Sequence, residues 1–452
     1  MLKTKLVLLS PILSLIQKHL TTSLCHQVFQ KERINERQRL WSLQALVMFW
    51  NEVILRAPQS LTQALQECFG GHWYNLQVKA TPEAFFQRSR DLHPRFFEHL
   101  FHKFVKRLIP DAPLNYGRDV NTLMSSYQEV WIIDGSRLSA VWKRLKILRD
   151  VEAVVLPGCL TVAYDLFRGF PRIVEFYRDA AISEAARSCD FLQKIPEGIL
   201  LVGDRLYGVP GFMAKALSRN IKVLARYNAT VKLKLVRKIR EVTFNGGLLV
   251  EELVKAGGSQ KVPEVLLRHI YWKKGKIIRR LVTTELDQDR LSAEVALQLY
   301  PRRWSIERMF YDLKVILGLN HIYCGNPNSV GQQVYASCLV YAAMRVIQGK
   351  TAEICDDIVP EDISEKKFFV KIAVAHMEYT YGLIGFLLTR EANPKVFLKE
   401  PDWSKLKNAK VSLRDILREK RNPTRKDKVF SKERKKWKSF KHIPNSEKYW
   451  KN

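Results

Sequence analysis

One stretch decides both the fold and the site, and it runs from residue 300 to residue 314: Tyr300-Pro301-Arg302-Arg303-Trp304-Ser305-Ile306-Glu307-Arg308-Met309-Phe310-Tyr311-Asp312-Leu313-Lys314. An α-helix turns by about 100° per residue. If this stretch is helical, four of its side chains lie within roughly 60° of one another around the helix axis. The four are Tyr300, Arg303, Glu307 and Lys314. Asp312 lies on the opposite side and is expected to tolerate substitution. Pro301 suits a first helical turn and disfavours αR in the preceding residue, so we expect the helix to begin at Tyr300.

Two aspartates elsewhere in the chain are candidates to act together with this helix. Val130-Trp131-Ile132-Ile133 leads into Asp134-Gly135-Ser136, and Ile199-Leu200-Leu201-Val202-Gly203 leads into Asp204. Apolar runs of this length predict buried strands, so both carboxylates are expected at the edge of a sheet. Taken singly, these features have ordinary interpretations. The helix face is also typical of a solvated surface with ion pairs, and each aspartate is also typical of a turn or an N-cap.

Taken together, these residues resemble the DDE insertion-sequence transposases, in the branch marked by Tyr-x2-Arg-x3-Glu-x6-Lys. The signature is met at Tyr300, Arg303, Glu307 and Lys314, after Asp134 and Asp204 in the same order. The resemblance is close over residues 130–319 and general elsewhere. It implies an α/β (α+β) fold with a ribonuclease H-like mixed sheet and flanking helices. The implied activity is that of a DNA transposase, which cuts at the ends of its mobile element and joins them to target DNA.

The chemistry of the three carboxylates agrees with that resemblance. Asp134, Asp204 and Glu307 are the expected catalytic residues and metal ligands, since carboxylate oxygens hold Mg²⁺ and two ions clamp the oxygens of a displacement at phosphorus. We expect two Mg²⁺ ions, with Mn²⁺ as a substitute. Water and then the freed 3′ hydroxyl would be the nucleophiles. No Ser/His/Asp or Cys/His arrangement suggests a covalent intermediate.

The expected partner is DNA. Arg303 and Lys314 would hold phosphates of the bound end, and Tyr300 would position the backbone near the cut. The resemblance also places Trp304 near DNA. It further implies terminal inverted repeats and target DNA as ligands, a homodimer in the synaptic complex, and a prokaryotic cytoplasmic protein associated with the nucleoid.

Hydrophobic patterns divide the chain into four predicted parts. Residues 1–125 form a helical N-terminal DNA-binding domain, with cations on its second helix that are also compatible with a solvated face. Residues 126–227 and 286–350 form the catalytic core, which ends in a core helix at 330–347. Residues 228–285 form a β-rich insertion subdomain before the last catalytic helix. Residues 351–452 form a helical region with a basic tail.

Within the core, the stretch between the aspartates is predicted as strand, strand, strand, helix, strand. Strands at 153–164 and 172–176 are joined at Phe167-Arg168-Gly169, and a helix starts at Ser183. Glu175 and Asp179 leave this hairpin and compete for the site on chemistry alone. We assign them solvent roles because neither ends a buried strand.

The insertion is predicted to contain strands at 241–244, 262–272 and 277–284. A tight turn at residues 273–276 carries Lys273 and Lys274, which suit phosphate contact. Trp272 beside the turn is a candidate for stacking on an unpaired base, although an ordinary half-buried hairpin tryptophan is the alternative.

Composition agrees with a nucleic-acid partner. The chain of 452 residues carries 75 Lys or Arg against 45 Asp or Glu, a net charge of +30. A polyanion is therefore the expected ligand. Seven cysteines without a Cys-x2-Cys pair argue against a disulfide framework or a zinc site. The apolar stretch 6–16 is too short for a membrane span, and we expect a buried helix there.

Two other functions use much of the same sequence. A ribonuclease H-like nuclease or resolvase would cut without joining, using the same carboxylates. A non-catalytic DNA-binding protein descended from a transposase has no need of them, so the presence of Asp134, Asp204 and Glu307 counts against it. Strand transfer separates the first alternative from a transposase.

Overall fold

A nine-stranded mixed sheet runs through the centre of the protein. The computed structural model describes residues 6–8, 18–32, 39–69, 78, 80–138, 157–179, 184–260, 262–354, 358–374 and 410–412. The strands are β1 (Leu6–Leu8), β2 (Val130–Arg137), β3 (Pro157–Asp165), β4 (Phe170–Asp179), β5 (Leu200–Gly203), β6 (Lys222–Arg226), β7 (Leu233–Phe244), β8 (Gly247–Ala256), β9 (Val265–Lys274), β10 (Ile277–Thr283) and β11 (Lys410–Ser412). The large sheet has the order β4-β3-β2-β5-β6-β10-β9-β8-β7, and β1 pairs separately with β11.

Helices pack against the sheet, and five of them lie among the described residues between 22 and 108. They are α1 (Thr22–Glu32), α2 (Leu43–Arg56), α3 (Leu61–Phe69), α4 (Pro82–Asp91), α5 (Arg95–Leu108), α6 (Glu184–Phe191), α7 (Pro210–Leu217), α8 (Ala293–Leu299), α9 (Trp304–Tyr311), α10 (Pro327–Ile354) and α11 (residues 365–374). None of the helices in the described ranges is long and apolar enough to cross a membrane.

Strand β2 lies in the interior of the sheet and is buried on both faces. It pairs antiparallel with β3 and parallel with β5, and β5 pairs parallel with β6. Val130 and Ile132 belong to one apolar cluster, whereas Trp131 and Ile133 belong to the cluster on the other face. Successive side chains of a strand point to opposite faces, and a continuous apolar run is therefore what a doubly covered strand requires.

The long helix α10 is the centre of the larger cluster. It packs against α2, α5 and β4, so the N-terminal helices share one apolar core with the sheet. Its buried Gln332 accepts hydrogen bonds from the Trp50 indole at 3.1 Å and the Ser89 hydroxyl at 2.8 Å. The Gln332 amide donates to the carbonyls of Ser89 and Leu92. Those bonds satisfy a polar group that would otherwise destabilise the core, and the core helix predicted at 330–347 is confirmed.

The β-rich stretch before the signature segment continues the central sheet. Strand β10 pairs with β6, and β9, β8 and β7 follow outward in antiparallel order. The prediction missed β8, which carries Glu251 and Glu252 in its middle. Glu251 is buried, and its carboxylate pairs with Arg240 at 2.7 Å and with Arg268 at 3.2 Å. Since those arginines come from neighbouring strands, the burial of this acid depends on tertiary contacts.

Two local predictions are wrong. Leu6–Leu8 forms a strand, paired with β11, where a buried helix was expected; residues 9–16 lie outside the described residues. Tyr300 has φ −55° and ψ −41° and continues directly from α8. Since α8 supplies the turn before it, Pro301 sits in a 3₁₀ segment, Tyr300–Arg303, between two helices. The steric bias against αR before proline is overridden here.

Candidate active site

Asp134 and Asp204 lie side by side on neighbouring parallel strands. The register pairs Ile132 with Val202, and each aspartate follows two residues later. Adjacent strands are about 4.8 Å apart, and side chains two residues apart share a face. Both carboxylates therefore belong to the face that carries Val130 and Ile132, toward the signature segment. The sequence predicted that each aspartate ends a strand: Asp204 directly follows β5, but β2 continues beyond Asp134 to Arg137, because it keeps pairing with β3 there.

Local hydrogen bonds orient both carboxylates. Asp134 Oδ1 accepts the backbone N–H of Gly135 at 2.9 Å, and Asp204 Oδ1 accepts the N–H of Leu206 at 2.6 Å. Asp204 thereby caps the turn that ends β5, a common use of aspartate after a strand. In each case, a backbone N–H holds one carboxylate oxygen.

The signature segment, Tyr300–Lys314, crosses this edge of the sheet. One arginine of the segment, Arg303, forms ion pairs with two acids. Its Nη1 is 3.2 Å from Asp134 Oδ2, and its Nη2 is 2.6 Å from Glu307 Oε1. Lys314 Nζ donates to the Ser136 hydroxyl at 2.6 Å. Helix α9 packs on β2 at this point. Arg303, Glu307 and Lys314 are thus brought to the strand that carries Asp134.

The other signature residues surround this centre. Tyr300 is half-buried beside Arg303, and burial raises the pKa of its phenol. Trp304 is 63% exposed, with the Arg303 guanidinium 5.4 Å from its ring centroid. Asp312 is only 1% exposed, at the start of a π-helical turn, Asp312–Ile316, in which the helix widens. Asp312 therefore does not lie on an exposed helix face, where substitution was expected to be tolerated.

A further carboxylate, Glu184, was missed by the sequence prediction. It opens α6, and its Oε1 accepts the Tyr207 hydroxyl at 3.0 Å. A Cβ atom placed on Gly135 would lie 2.7 Å from the same oxygen, so Gly135 leaves space for this acid. Glu184 also interacts electrostatically with Asp134 and Asp204. Glu184 was missed because an acid in a first helical turn is common. The glycine after Asp134 was the only sequence signal that another side chain approaches this strand closely.

Burial and crowded negative charge dominate the electrostatics of the site. Burial raises the pKa of Asp134 to about 7, an effect that exceeds the opposing influence of the Gly135 N–H and of Arg303. Glu184 and Asp204 raise it further. Burial likewise raises the pKa of Glu184. The ionised forms of these carboxyls are therefore disfavoured in their surroundings, and a bound cation would stabilise them.

The donor types suit magnesium, although Glu307 is engaged elsewhere. Among the described residues, no three His, Cys, Asp or Glu side chains are grouped so that they could hold one ion. Asp134 and Asp204 supply hard oxygen ligands from adjacent strands. Glu307 is held by Arg303 instead. By donor type, Asp134 and Asp204 therefore fit Mg²⁺, whereas Glu307 is ion-paired with Arg303 and is not grouped with them in this structure.

The predicted basic hairpin is present, but its tryptophan is not available for stacking. Trp272 is 8% exposed, and its indole N–H donates to the Phe244 carbonyl at 2.9 Å. The neighbouring β7–β8 turn covers it, so the proposed contact with an unpaired base is wrong for this conformation. Lys273 and Lys274 are exposed at the tip, where Lys274 Nζ donates to the Asn245 carbonyl at 2.9 Å.

The competing acids of the β4 hairpin have other roles. Glu175 is partly buried and forms an ion pair with Lys194, which also bonds Glu98 at 2.8 Å. The assignment of Glu175 to solvent is therefore wrong, and the ion pair ties β4 to α5. Asp179 belongs to β4, but its side chain lies outside the described residues.

Comparison with known proteins finds that part of the chain is similar to a transposase domain. Residues 158–343 match a family model described as "Transposase DDE domain". This span includes Asp204 and Glu307 and begins after Asp134. The chain is also 26% identical over 193 residues to "Putative transposase y4zB" of Sinorhizobium fredii, covering 41% of this chain and 52% of that protein. The chain thus spans about half the length of this relative. Together, these matches support a DDE transposase.

A solved structure was also found. The chain is 8% identical to a chain of the "Cryo-EM structure of piggyBac transposase synaptic complex with hairpin DNA", with 91% of this chain and 84% of that chain covered. The TM-score is 0.37, which is too low to carry a structural argument.

Proposed function

We propose that this chain is a DDE transposase of the Tyr-Arg-Glu-Lys branch, which cuts DNA at the ends of its element and joins those ends to target DNA. The observation that carries the proposal is that carboxylate and cationic side chains lie together beside the same pair of strands, β2 and β5. Asp134 lies within β2 and Asp204 directly follows the adjacent β5, and the signature segment brings Glu307, Arg303 and Lys314 to β2. A carboxylate cluster under a basic surface suits phosphoryl transfer on a polyanion.

The topology of the central strands supports a ribonuclease H-like core. Strands β4, β3 and β2 are antiparallel neighbours, and β5 and β6 follow in parallel on the other side of β2. This is the arrangement that the strand, strand, strand, helix, strand prediction required. The further strands β7–β10 extend the sheet before the chain returns to the site through α8.

Asp134, Asp204 and Glu307 would hold two Mg²⁺ ions, or Mn²⁺ in their place. Bound metal would activate water and then the 3′ hydroxyl, and would neutralise charge on the reacting phosphate. For the protein, the Gly135 and Leu206 N–H groups fix one oxygen of each aspartate, and the second oxygen of Asp134 contacts Arg303. Because hard cations require ionised ligands, the carboxyl of Asp134 has to release its proton before it can act.

The cations of the signature segment would hold the DNA. Lys314 offers its remaining ammonium donors to a phosphate while Ser136 holds its position. Arg303 offers a planar fork that suits phosphate oxygens. Tyr300 and the exposed ring of Trp304 would contact the strand beside the cut, and Lys273 and Lys274 would hold more distant phosphates. The proposed ligands are terminal inverted repeats and target DNA, bound by a homodimer in the synaptic complex.

The test is a cleavage and joining assay with the full chain. A supercoiled plasmid carrying the cloned flanks of its gene is incubated with and without Mg²⁺, alongside a labelled target plasmid. We expect Mg²⁺-dependent nicking at the flank ends and transfer of those ends to the target. Asp204→Ala should abolish both products while DNA binding persists, because phosphate contacts supply most of the affinity.

The exposed Asp289→Asn is the matched control, since it also removes one acid but lies away from the site. Cutting without transfer would point to a nuclease or resolvase. Full cutting by Asp204→Ala would remove this aspartate from the proposed site, and binding without any cutting would overturn the enzymatic proposal.

A further inference from the structure

Arg303 holds the carboxylates of the site as an internal cation. Its two terminal nitrogens contact different acids, Asp134 at 3.2 Å and Glu307 at 2.6 Å. The three side chains are 12%, 17% and 34% exposed, so this contact is shielded from solvent. Charge-assisted hydrogen bonds of this geometry are among the strongest in proteins. The guanidinium thus contacts both of the acids that a metal ion would otherwise join.

This contact and metal coordination exclude each other. Asp134 Oδ2 faces Nη1, and the other Asp134 oxygen accepts the Gly135 N–H. Glu307 Oε1 is bound by Nη2. An ion that takes these same oxygens has to displace a guanidinium, because two cations cannot share them at contact distance without repulsion.

Arg303 also has an unused donor. Its Nε is buried and has no hydrogen-bond partner among the described residues. An unmet donor on a charged group is costly in a shielded site. The adjacent Trp304 ring is open to solvent, so a ligand that lies along this surface reaches the guanidinium from outside. A phosphate group supplies several acceptor oxygens to such a fork.

We propose that Arg303 competes with metal for Asp134 and Glu307, and that a DNA phosphate, by drawing the guanidinium away, frees both carboxylates, so that DNA and metal bind cooperatively. This inference rests on the proposed function, since it requires DNA and metal as ligands of the site. Coupling is reciprocal: if DNA raises the affinity for metal, metal raises the affinity for DNA by the same factor. This competition would keep the metal occupancy of the site low until DNA binds.

The experiment measures Mn²⁺ affinity by titration calorimetry, with and without saturating blunt-ended duplex DNA of mixed sequence. For the wild-type chain, we expect DNA to raise the Mn²⁺ affinity by roughly 5- to 150-fold, the usual range of coupling between sites. Arg303→Gln should bind Mn²⁺ without DNA about as tightly as the wild type binds it with DNA. Adding DNA should then change its metal affinity little.

Two further variants make the outcome specific. Arg302→Gln removes a neighbouring cation that pairs with Asp119 and Glu361, away from the carboxylates, and should keep the wild-type coupling. Arg303→Lys keeps the charge but replaces the fork by a single ammonium group, so intermediate coupling is expected. Circular dichroism establishes that each variant is folded, and Arg303→Lys decides the question if Arg303→Gln does not fold.

Three other outcomes would refute the competition, the coupling or the proposed function itself. Weaker Mn²⁺ binding by folded Arg303→Gln in the absence of DNA would mean that Arg303 organises the carboxylates for metal, and the competition would be refuted. Equal Mn²⁺ affinity of the wild type with and without bound DNA would refute the coupling. If the wild type bound no Mn²⁺ under either condition, the proposed function would fail together with this inference.

Discussion

Lys314 Nζ lies 2.6 Å from the hydroxyl oxygen of Ser136, two residues beyond Asp134 on the same strand. The signature segment is therefore attached to β2 at two points, through Arg303 at Asp134 and through Lys314 at Ser136. Burial lowers the pKa of Lys314. An ammonium group held in a shielded position, with donors left over, is well placed to bind phosphate once DNA covers it.

The Lys314–Ser136 contact leads to a test by a double-mutant cycle. Lys314→Met should slow cleavage by about tenfold or more, because a charge-assisted contact to phosphate is worth about 1.5–3 kcal/mol. Lower salt should restore part of the rate. Ser136→Ala should have a smaller effect, since it only frees the ammonium to move. If Ser136 acts through Lys314, Ser136→Ala should change nothing in the Lys314→Met background; additive losses would contradict that role.

The pKa of Asp134 predicts a dependence of stability on pH. Its folded value is raised from 3.8 to about 7 by burial. Between these values, the folded state binds a proton that the unfolded state releases, so this contribution is full below about pH 4 and is lost as the pH rises through 7. The slope is at most about 1.4 kcal/mol per pH unit for one group. Chemical denaturation between pH 4 and pH 8 measures it.

Asp134→Asn is the control for the pH effect, because the amide does not titrate. The variant should show a flatter profile over the same range. Added Mg²⁺ should stabilise the wild type more at pH 8 than at pH 6, since the ligand has to be ionised. A wild-type profile identical to that of Asp134→Asn would show that Asp134 has an ordinary pKa.

Much of the site could be predicted because its signals are local. The apolar runs before Asp134 and Asp204 are buried strands, and their parallel pairing places the two aspartates at equivalent positions, two residues after the paired Ile132 and Val202. The i,i+4 spacing of Arg303 and Glu307 also brings their side chains together, although Arg303 ends a 3₁₀ segment and Glu307 lies in the first turn of α9. For Lys314, a π-helical turn intervenes, yet the residue still reaches Ser136.

The parts that could not be predicted depend on distant contacts. Glu184 is fifty residues from Asp134 in sequence, and only the packing of α6 beside β2 brings it to Gly135. Trp272 has the residue type and position of a stacking platform, but the β7–β8 turn supplies the carbonyl that buries it. Strand β8 was obscured by Glu251, whose arginine partners come from β7 and β9. No local pattern contains those partners.

Two glycines should respond differently to alanine. At Gly135, an added Cβ would meet the end of the flexible Glu184 side chain at 2.7 Å. At Gly208, it would meet the backbone carbonyl of Arg226 at 2.5 Å, which belongs to β6 and cannot move freely. Gly208→Ala should therefore destabilise the fold by about 1–3 kcal/mol, whereas Gly135→Ala should cost less stability and displace Glu184 from the aspartates.

Urea unfolding and cleavage assays together separate the two effects. Gly135→Ala should lose cleavage to the same extent as Glu184→Ala, since both remove the Glu184 carboxylate from Asp134 and Asp204. A Gly135→Ala variant that is less stable than Gly208→Ala would show that Glu184 cannot shift. Full cleavage by Glu184→Ala would show that this carboxylate has no part in the reaction.

The basic hairpin predicts a measurable salt dependence. Lys273, Lys274 and Lys276 are exposed around the tip of β9 and β10. Replacing all three by glutamine should reduce the slope of log affinity for DNA against log salt by about 2–3, because each phosphate contact contributes about 0.9. Lys255→Gln is the control, since Lys255 pairs with Glu264 at 2.8 Å on the same sheet. An unchanged slope in the triple variant would place the hairpin outside the DNA complex.

The last prediction concerns Glu307 and follows from its pair with Arg303. Glu307→Gln keeps the shape of the side chain but removes the charge that a hard cation requires, so cleavage should stop. The same change weakens the hold on Arg303 and frees its guanidinium for phosphate, so DNA affinity should stay equal or rise. Filter binding and plasmid nicking, measured on the same preparation, distinguish this result from a loss of fold.

The control for Glu307→Gln has to remove one acid without disturbing the core. Asp312 is unsuitable because it is buried, so a change there tests packing more than chemistry. The exposed Asp289 lies in the loop before α8, and Asp289→Asn should cut and bind like the wild type. Weaker DNA binding by Glu307→Gln than by Asp289→Asn would mean that Glu307 positions Arg303 for the phosphate and does not restrain it. The assignment of Glu307 as a metal ligand would then depend on whether cleavage also ceased, since a residue that only positions Arg303 should leave slow cutting that higher protein concentration restores.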